Sequence, residues 1–323
     1  MSIGFLFPGQ GSQYSGMFVE HFEEYPEFNE IFGLGSEFYK ENLKEVIFSD
    51  DGRLDDTYYT QPILMLASFS LFKIWHKRGC ALPKVSCGHS LGEISSLLCA
   101  GIISLADALK FIKFRASFMI ESKGEKKTKM TAVLGLNQSQ VEEVIKELKN
   151  SFLEVVNINS PQQVVIAGNA DEIELVKPKL SEIGSRRQID LTVSVPSHSS
   201  LMNLASAKLR VALEEISLQE PSFPTIHNID GKVSQKIEDI PEKLSQQISK
   251  PVQWAESMRR LKKYGLDAFV EFGPGKILTG LAKQNKIKSD FFQSDSVEAF
   301  NKLLSMYGNC LLYTSPSPRD LST

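Results

Sequence analysis

The chain has 323 residues, enough for one large domain or two of ordinary size with room for a substantial core. Hydrophobic residues make up 42% and charged residues 23%, the mark of a soluble globular chain, and the formal net charge of −3 gives no electrostatic reason to expect nucleic acid. No apolar run approaches the roughly 20 residues of a membrane span, and the N-terminus has no basic region before its short apolar core, so no secretory signal and a cytoplasmic location are expected.

In chain order, "IGFLFPG" (3–9) reads as a buried strand ended by the turn-forming "PGQGSQ". His21 lies in an acidic helical stretch, "VEHFEEYPEF". A long apolar helix is expected over 60–78, capped by Thr60 with Pro62 in its first turn. "KVSCG" is a short strand, followed by the helix "LGEISSLLCA" that Gly101 ends. Ser104 and Asp107 open a helix through about Glu121. From 129 the order becomes strand, helix (138–149), two strands, helix (171–184) and strand, the β-α-β-β-α-β order of a ferredoxin-like unit. Afterwards "PSFPTIHNIDG" and "LDAFVEFGPGKILTGLAK" return to buried strands, and a last amphipathic helix covers 296–307. The chain therefore reads as an α/β core of residues 1–126 and 195–310 interrupted by a smaller unit at 127–194. The end, 311–323, alternates Ser and Pro and is expected to be disordered or foreign to the fold. Cys80, Cys87, Cys99 and Cys310 show neither paired nor metal-type spacing, so free thiols and no metal are expected.

The chemistry concentrates at "GHSLGE" (88–93). Gly-x-Ser-x-Gly between a strand and a helix is the nucleophile-elbow pattern, which would set the Ser90 hydroxyl on a strained turn; the alternative is a Gly-rich turn with a capping serine. A serine nucleophile needs a base. Among the five histidines, His198 in "SVPSHSSLMNLA" stands among small residues where a helix begins, a place for an exposed imidazole. A surface histidine at a helix start is the alternative. Arg115 falls on the apolar side of its helix, with Leu105, Ala108, Ile112 and Met119 and opposite Lys110 and Lys113. A guanidinium there needs either an internal carboxylate or an anionic ligand, because an unpaired buried charge is very costly. "EFGPGK" (271–276) lacks the spacing of a phosphate loop and reads as a turn.

With these residues in view the chain resembles the malonyl-CoA:acyl carrier protein transacylases of bacterial type II fatty acid synthesis. The matching runs are "FLFPGQGSQ", "TQPILM", "GHSLGE", "NSPQQVVIAG", "SVPSH", "KPVQW" and "FGPGKILTGL", in order from residue 3 to about 285. The resemblance implies an α/β-hydrolase-like core with an inserted ferredoxin-like subdomain. It implies Ser90 as nucleophile, His198 as base, Arg115 as partner of the malonyl carboxylate, and the main-chain N–H groups of Gln10 and Leu91 as the oxyanion hole. Gln253 would lie beside His198, with a backbone carbonyl rather than an acid orienting the ring. Malonyl-CoA and holo acyl carrier protein would be the partners, with no cofactor and a monomeric chain. The Lys-rich "KGEKKTKM" (123–130) departs from the family pattern at the edge of the expected cleft. The rival readings are a serine hydrolase, which would need an acid on the histidine, and a carrier-binding module without activity.

Overall fold

The five residues Ile3–Phe7 (β1) are all buried, as a strand covered on both faces requires. In the computed structural model, which describes residues 1–148, 152–193 and 195–308, β1 lies at the centre of a parallel sheet. The later strands are β2 (Val85–Gly88), β3 (Thr128–Leu134), β4 (Glu154–Ser160), β5 (Gln163–Asn169), β6 (Arg187–Asp190), β7 (Thr225–Ile226), β8 (Ala268–Glu271) and β9 (Asp290–Gln293). The parallel sheet has the order β7-β2-β1-β8-β9, and the other four strands form a second, antiparallel sheet in the order β4-β5-β3-β6. Helices Gln138–Lys146 and Ala170–Glu182 bury Val141, Val144, Ile173 and Val176 against this second sheet. Strand β4 also touches the main body: Ile158 N–H donates to Val252 O at 2.9 Å and Val252 N–H to Val156 O at 2.9 Å.

Most expected elements are present with shifted ends. The long apolar helix runs Thr57–Lys77, three residues earlier than expected, because Asp56 rather than Thr60 caps it by accepting from Tyr58 N–H at 2.8 Å. Thr60 instead donates to Leu54 O at 2.6 Å, and Pro62 sits inside the helix. The helical stretch around His21 breaks at Tyr25 into Val19–Glu24 and Pro26–Tyr39, with Pro26 in its favoured place at a helix start. "PSFPTIHNIDG" contributes only the two residues of β7, and β9 is a strand the sequence did not announce. Cys80, Cys87 and Cys99 are free and buried. Cys310 and the segment 311–323 lie outside the described residues. Among the described residues no helix is long and apolar enough to cross a membrane.

His21 is a core residue. It is 1% exposed, packs on Phe18, Phe28 and Phe300, and its Nε2 is 3.0 Å from Ser294 O. Burial lowers its pKa from 6.5 to about 4. The unfolded chain therefore binds a proton that the fold refuses, so the contribution of His21 is complete above pH 6.5 and is lost as pH falls towards 4. Replacing His21 by Gln, which can still donate to Ser294, should flatten that acid limb by roughly 2–3 kcal/mol between pH 6.5 and 4 in urea unfolding curves. An unchanged limb would mean the ring titrates normally.

Candidate active site

Strands β1 and β2 end side by side, with Phe7 opposite Gly88, and both chains turn at their C-terminal ends. The turn after β2 is possible only with glycine on both sides. A Cβ on Gly88 would lie 1.9 Å from Gly92 C and O, and one on Gly92 would lie 1.9 Å from Phe7 O. Between them Ser90 holds φ 54 and ψ −111, a conformation that costs a non-glycine residue of order 1–3 kcal/mol. The strain is held by Asn228, whose Oδ1 accepts from Ser90 N–H at 2.6 Å while its Nδ2 donates to Gly88 O at 2.6 Å. The expected elbow is therefore present.

The Ser90 hydroxyl is 2.7 Å from His198 Nε2. His198 is 1% exposed, not the exposed imidazole its small neighbours suggested, and it too has a positive φ, 67. Its Nδ1 meets the main-chain carbonyl of Gln247 at 2.6 Å; a carbonyl can only accept, so the proton sits on Nδ1 and Nε2 is free to take one from Ser90. Burial, then the charge of Arg115, bring the His198 pKa down from 6.5 to about 3.

Gln253 lies on a different segment from the backbone carbonyl that meets His198. Its N–H donates to Asn228 O at 2.8 Å and it caps the helix Trp254–Lys262, whereas the carbonyl on His198 belongs to Gln247. The reason lies four residues on. Gln247 ends the helix Ile240–Gln247, and the N–H that would claim its carbonyl is missing because residue 251 is proline.

Arg115 is 1% exposed, and its partners are neutral: Gln61 Oε1 at 2.5 Å, Gln247 Oε1 at 3.0 Å and Ser90 Oγ at 3.3 Å. Its Nε has no partner among the described residues. The internal carboxylate that a buried cation calls for is absent from this list of contacts. Desolvation brings the guanidinium pKa down from 12.5 to about 10, with Glu93 opposing, so it remains charged.

Glu93, which the sequence reading passed over, ties these groups together. At 1% exposure it faces His227 Nδ1 at 2.7 Å through Oε1, and its Oε2 accepts from Asn228 N–H at 3.0 Å and Gln247 Nε2 at 2.9 Å. Gln247 Nε2 also donates to Ser90 O at 2.8 Å. A signal existed: an acid in a helix where every position of Leu91–Cys99 is buried must have partners. His89 points away from the hydroxyl, to Asn159 Oδ1 at 2.9 Å.

Gln10 and Leu91 line up as expected in one respect: among the described residues neither main-chain N–H has an acceptor. Leu91 opens its helix, so its N–H points outward with the positive end of the dipole. Gln10 lies in a cleft of about 560 Å³ between the two sheets, lined also by His89, Asn159, Gln163, Val193 and Leu278. A serine, a neutral buried imidazole and two free N–H donors can form and break an ester, and the adjacent Arg115 is a buried positive charge.

The acyl transferase domain family matches residues 4–298. The malonyl CoA-acyl carrier protein transacylase of Salmonella typhimurium is 38% identical over 284 residues, 87% of this chain and 92% of that one. The Bacillus subtilis protein of that name is 36% identical over 285 residues, 87% of this chain and 90% of the other. Among solved structures, malonyl-CoA:acyl carrier protein transacylase from Xanthomonas oryzae pv. oryzae superposes with a TM-score of 0.91 at 33% identity, covering 95% of this chain and 100% of that one. A type II PKS acyl-carrier protein in complex with its malonyl-transacylase gives the same TM-score, 0.91, at 33% identity over 95% and 100%.

Two measurements probe the geometry directly. Gly92→Ala should cost roughly 3 kcal/mol or more, since Phe7 O would have to move; urea unfolding that finds a loss under about 1 kcal/mol would contradict the close approach. Labelling of Ser90 by a serine-directed phosphonate should hold its rate from about pH 7.5 to 5, because His198 stays neutral down to about pH 3. A fall with a midpoint near 6.5 would mean an imidazole in its ordinary range.

Proposed function

The chain belongs to the acyl transferase domain family, and from that premise we propose that it moves a malonyl group from malonyl-CoA to the pantetheine thiol of an acyl carrier protein, through an ester on Ser90. The observation that carries this is Arg115, a buried cation with only neutral partners, 3.3 Å from the reactive hydroxyl. A malonyl carboxylate supplies the charge that the protein leaves out, and a planar guanidinium can hold it by two parallel hydrogen bonds. An acetyl group has nothing to offer there.

In the first half-reaction His198 Nε2 takes the Ser90 proton as Oγ attacks the thioester carbonyl. The N–H groups of Gln10 and Leu91 hold the oxyanion. The carbon–sulfur bond breaks, His198 returns its proton to the CoA sulfur, and malonyl-Ser90 remains. In the second, the carrier's thiol gives its proton to His198, attacks the ester carbonyl and releases Ser90, which recovers the proton. Every step uses groups of this chain and the two substrates. Substrate charge also tunes the base: Arg115 is one of the causes that depress His198, so a carboxylate paired with Arg115 cancels that field and makes the imidazole more basic when malonyl is bound.

The architecture supports dividing the chain into an α/β-hydrolase-like core, residues 1–126 with the chain from 195, and a ferredoxin-like insert at 127–194. The parallel order β7-β2-β1-β8-β9 and the β-α-β-β-α-β run with order β4-β5-β3-β6 favour that division.

Ser90→Ala should abolish labelling by radioactive malonyl-CoA, and persistent label on that variant would end the assignment. Arg115→Ala should lower kcat/KM for malonyl-CoA by roughly 2–5 kcal/mol while leaving the slow transfer of acetyl unchanged or improved. Equal losses with both substrates would make Arg115 a structural residue.

A further inference from the structure

Behind the catalytic network lies a hollow of about 350 Å³, between the segment leading into β7 and the residues that follow it. His227 forms part of its inner wall, while Glu220, Lys236 and Glu238 stand exposed at its rim. The ring itself is 1% exposed. Its Nδ1 meets Glu93 Oε1 at 2.7 Å; a carboxylate oxygen accepts, so Nδ1 carries a proton. Nε2 makes no hydrogen bond among the described residues, and Ser234 Oγ, on the same hollow, is buried without a partner. A space of this size with unpaired polar atoms in its wall admits water, and through water a proton can reach Nε2.

The other side of Glu93 leads to the reacting groups. Glu93 Oε2 accepts from Gln247 Nε2 at 2.9 Å, and Gln247 Oε1 accepts from Arg115 Nη2 at 3.0 Å, so one amide stands between the acid and the guanidinium. The charge of Glu93 favours the charged form of Arg115, and the charge of Arg115 adds to the burial that lowers the proton affinity of His198. A second proton on His227 makes the ring a cation in contact with Glu93 and cancels the field of the acid at Arg115. Besides Glu93 and the three groups at the rim, the elements around the ring carry few titratable side chains. Cys87 lies on β2 opposite Ile226, and Lys232 gives its main-chain carbonyl to His227 N–H at 2.9 Å. Asp230 in the turn after His227 is held by Lys243 at 3.0 Å, and Glu256 beside that turn by Arg259 at 2.6 Å.

We propose that His227 is a positioning residue for acyl transfer: protonated through the rear hollow, it takes up the charge of Glu93 and leaves that of Arg115 to the acyl carboxylate. The inference rests on the malonyl-transfer reading above for the identity of that carboxylate. With a neutral ring, Glu93 offsets Arg115 and the anionic acyl group is held less tightly; with a charged ring it is held more tightly. Histidine is the side chain suited to make that change of charge near neutral pH. By linkage the effect runs both ways, so a carboxylate bound at Arg115 makes His227 hold its second proton more firmly.

Binding is read by calorimetry on the Ser90→Ala protein, which lacks the hydroxyl to be acylated, as the ratio of Kd for acetyl-CoA to Kd for malonyl-CoA. The phosphates of CoA cancel in that ratio. From about pH 8.5 down to about 5.5 the ratio should rise on the order of threefold. His198 and His21, with pKa values of about 3 and about 4, stay neutral across that window. Adding His227→Asn, whose Nδ2 can replace Nδ1 as donor to Glu93, should leave a preference for malonyl-CoA that no longer changes with pH. A preference that is flat with pH while His227 is intact, or that rises equally in the double variant, overturns the inference and leaves the malonyl-transfer reading standing. If the double variant does not fold, nitrogen NMR of the histidine rings in the Ser90→Ala protein decides. Nε2 of His227 should gain proton occupancy on addition of malonyl-CoA and not of acetyl-CoA, and an unresponsive ring overturns the inference. Malonyl-CoA bound no more tightly than acetyl-CoA at any pH would overturn the malonyl-transfer reading, and the inference with it.

Discussion

One buried carboxylate holds the catalytic arrangement in place. Glu93 sits three residues past the strained Ser90 and gathers His227, Asn228 and Gln247, which arrive from distant parts of the chain. Asn228 in turn fixes the main chain of Ser90, and Gln247 supplies both the carbonyl on His198 and the amide on Arg115. The acid therefore touches His227 rather than His198, the residue it would touch in a Ser-His-Asp arrangement, and sets the posts on which Ser90, His198 and Arg115 are mounted. Such a network is rigid only when each member is satisfied, which makes Glu93 intolerant of replacement even though it touches none of the reacting atoms.

The arginine and the histidine are coupled through the same enclosed space. The guanidinium is buried among amides and a hydroxyl, with the Glu93 carboxylate acting on it from a distance, and its charge adds to the burial that already lowers the proton affinity of His198. A ligand that brings one negative charge relieves both at once. The charge on Arg115 and the basicity of His198 are thus linked, with burial the larger influence on the imidazole.

The sequence carried the elbow plainly, since Gly88 and Gly92 are dictated by contacts of 1.9 Å that no side chain could survive. It carried the burial of Arg115 as helical phase, and the central strand as an unbroken apolar run. It did not carry Gln247, because what matters there is a main-chain carbonyl freed by Pro251, and a carbonyl is the same in every residue type. The resemblance named Gln253 as the neighbour of the ring and left the owner of the carbonyl open. The depth of His198 was also hidden, since its cover comes from segments such as Ile248 that lie far along the chain. Strand β9 escaped notice because Asp290–Gln293 is short and only half-buried, without the alternation or apolar run that marks a strand.

The placement of the antiparallel unit has a consequence for the order in which the chain assembles. Ser90 and His198 meet across a sequence separation of 108, so closing that loop without help would cost about 4 kcal/mol of chain entropy. The insert shortens the effective span because its strands pair among themselves within residues 128–190, with β4 against β5 across a tight turn. The core is slower for the opposite reason: its central strand β1 waits for β8, which comes more than 260 residues later. A nascent chain thus carries Ser90 long before it carries the imidazole that meets its hydroxyl, and that contact waits until the domain has closed around it. The meeting of hydroxyl and imidazole is in this way a property of the finished fold, withheld from every partly built form of it.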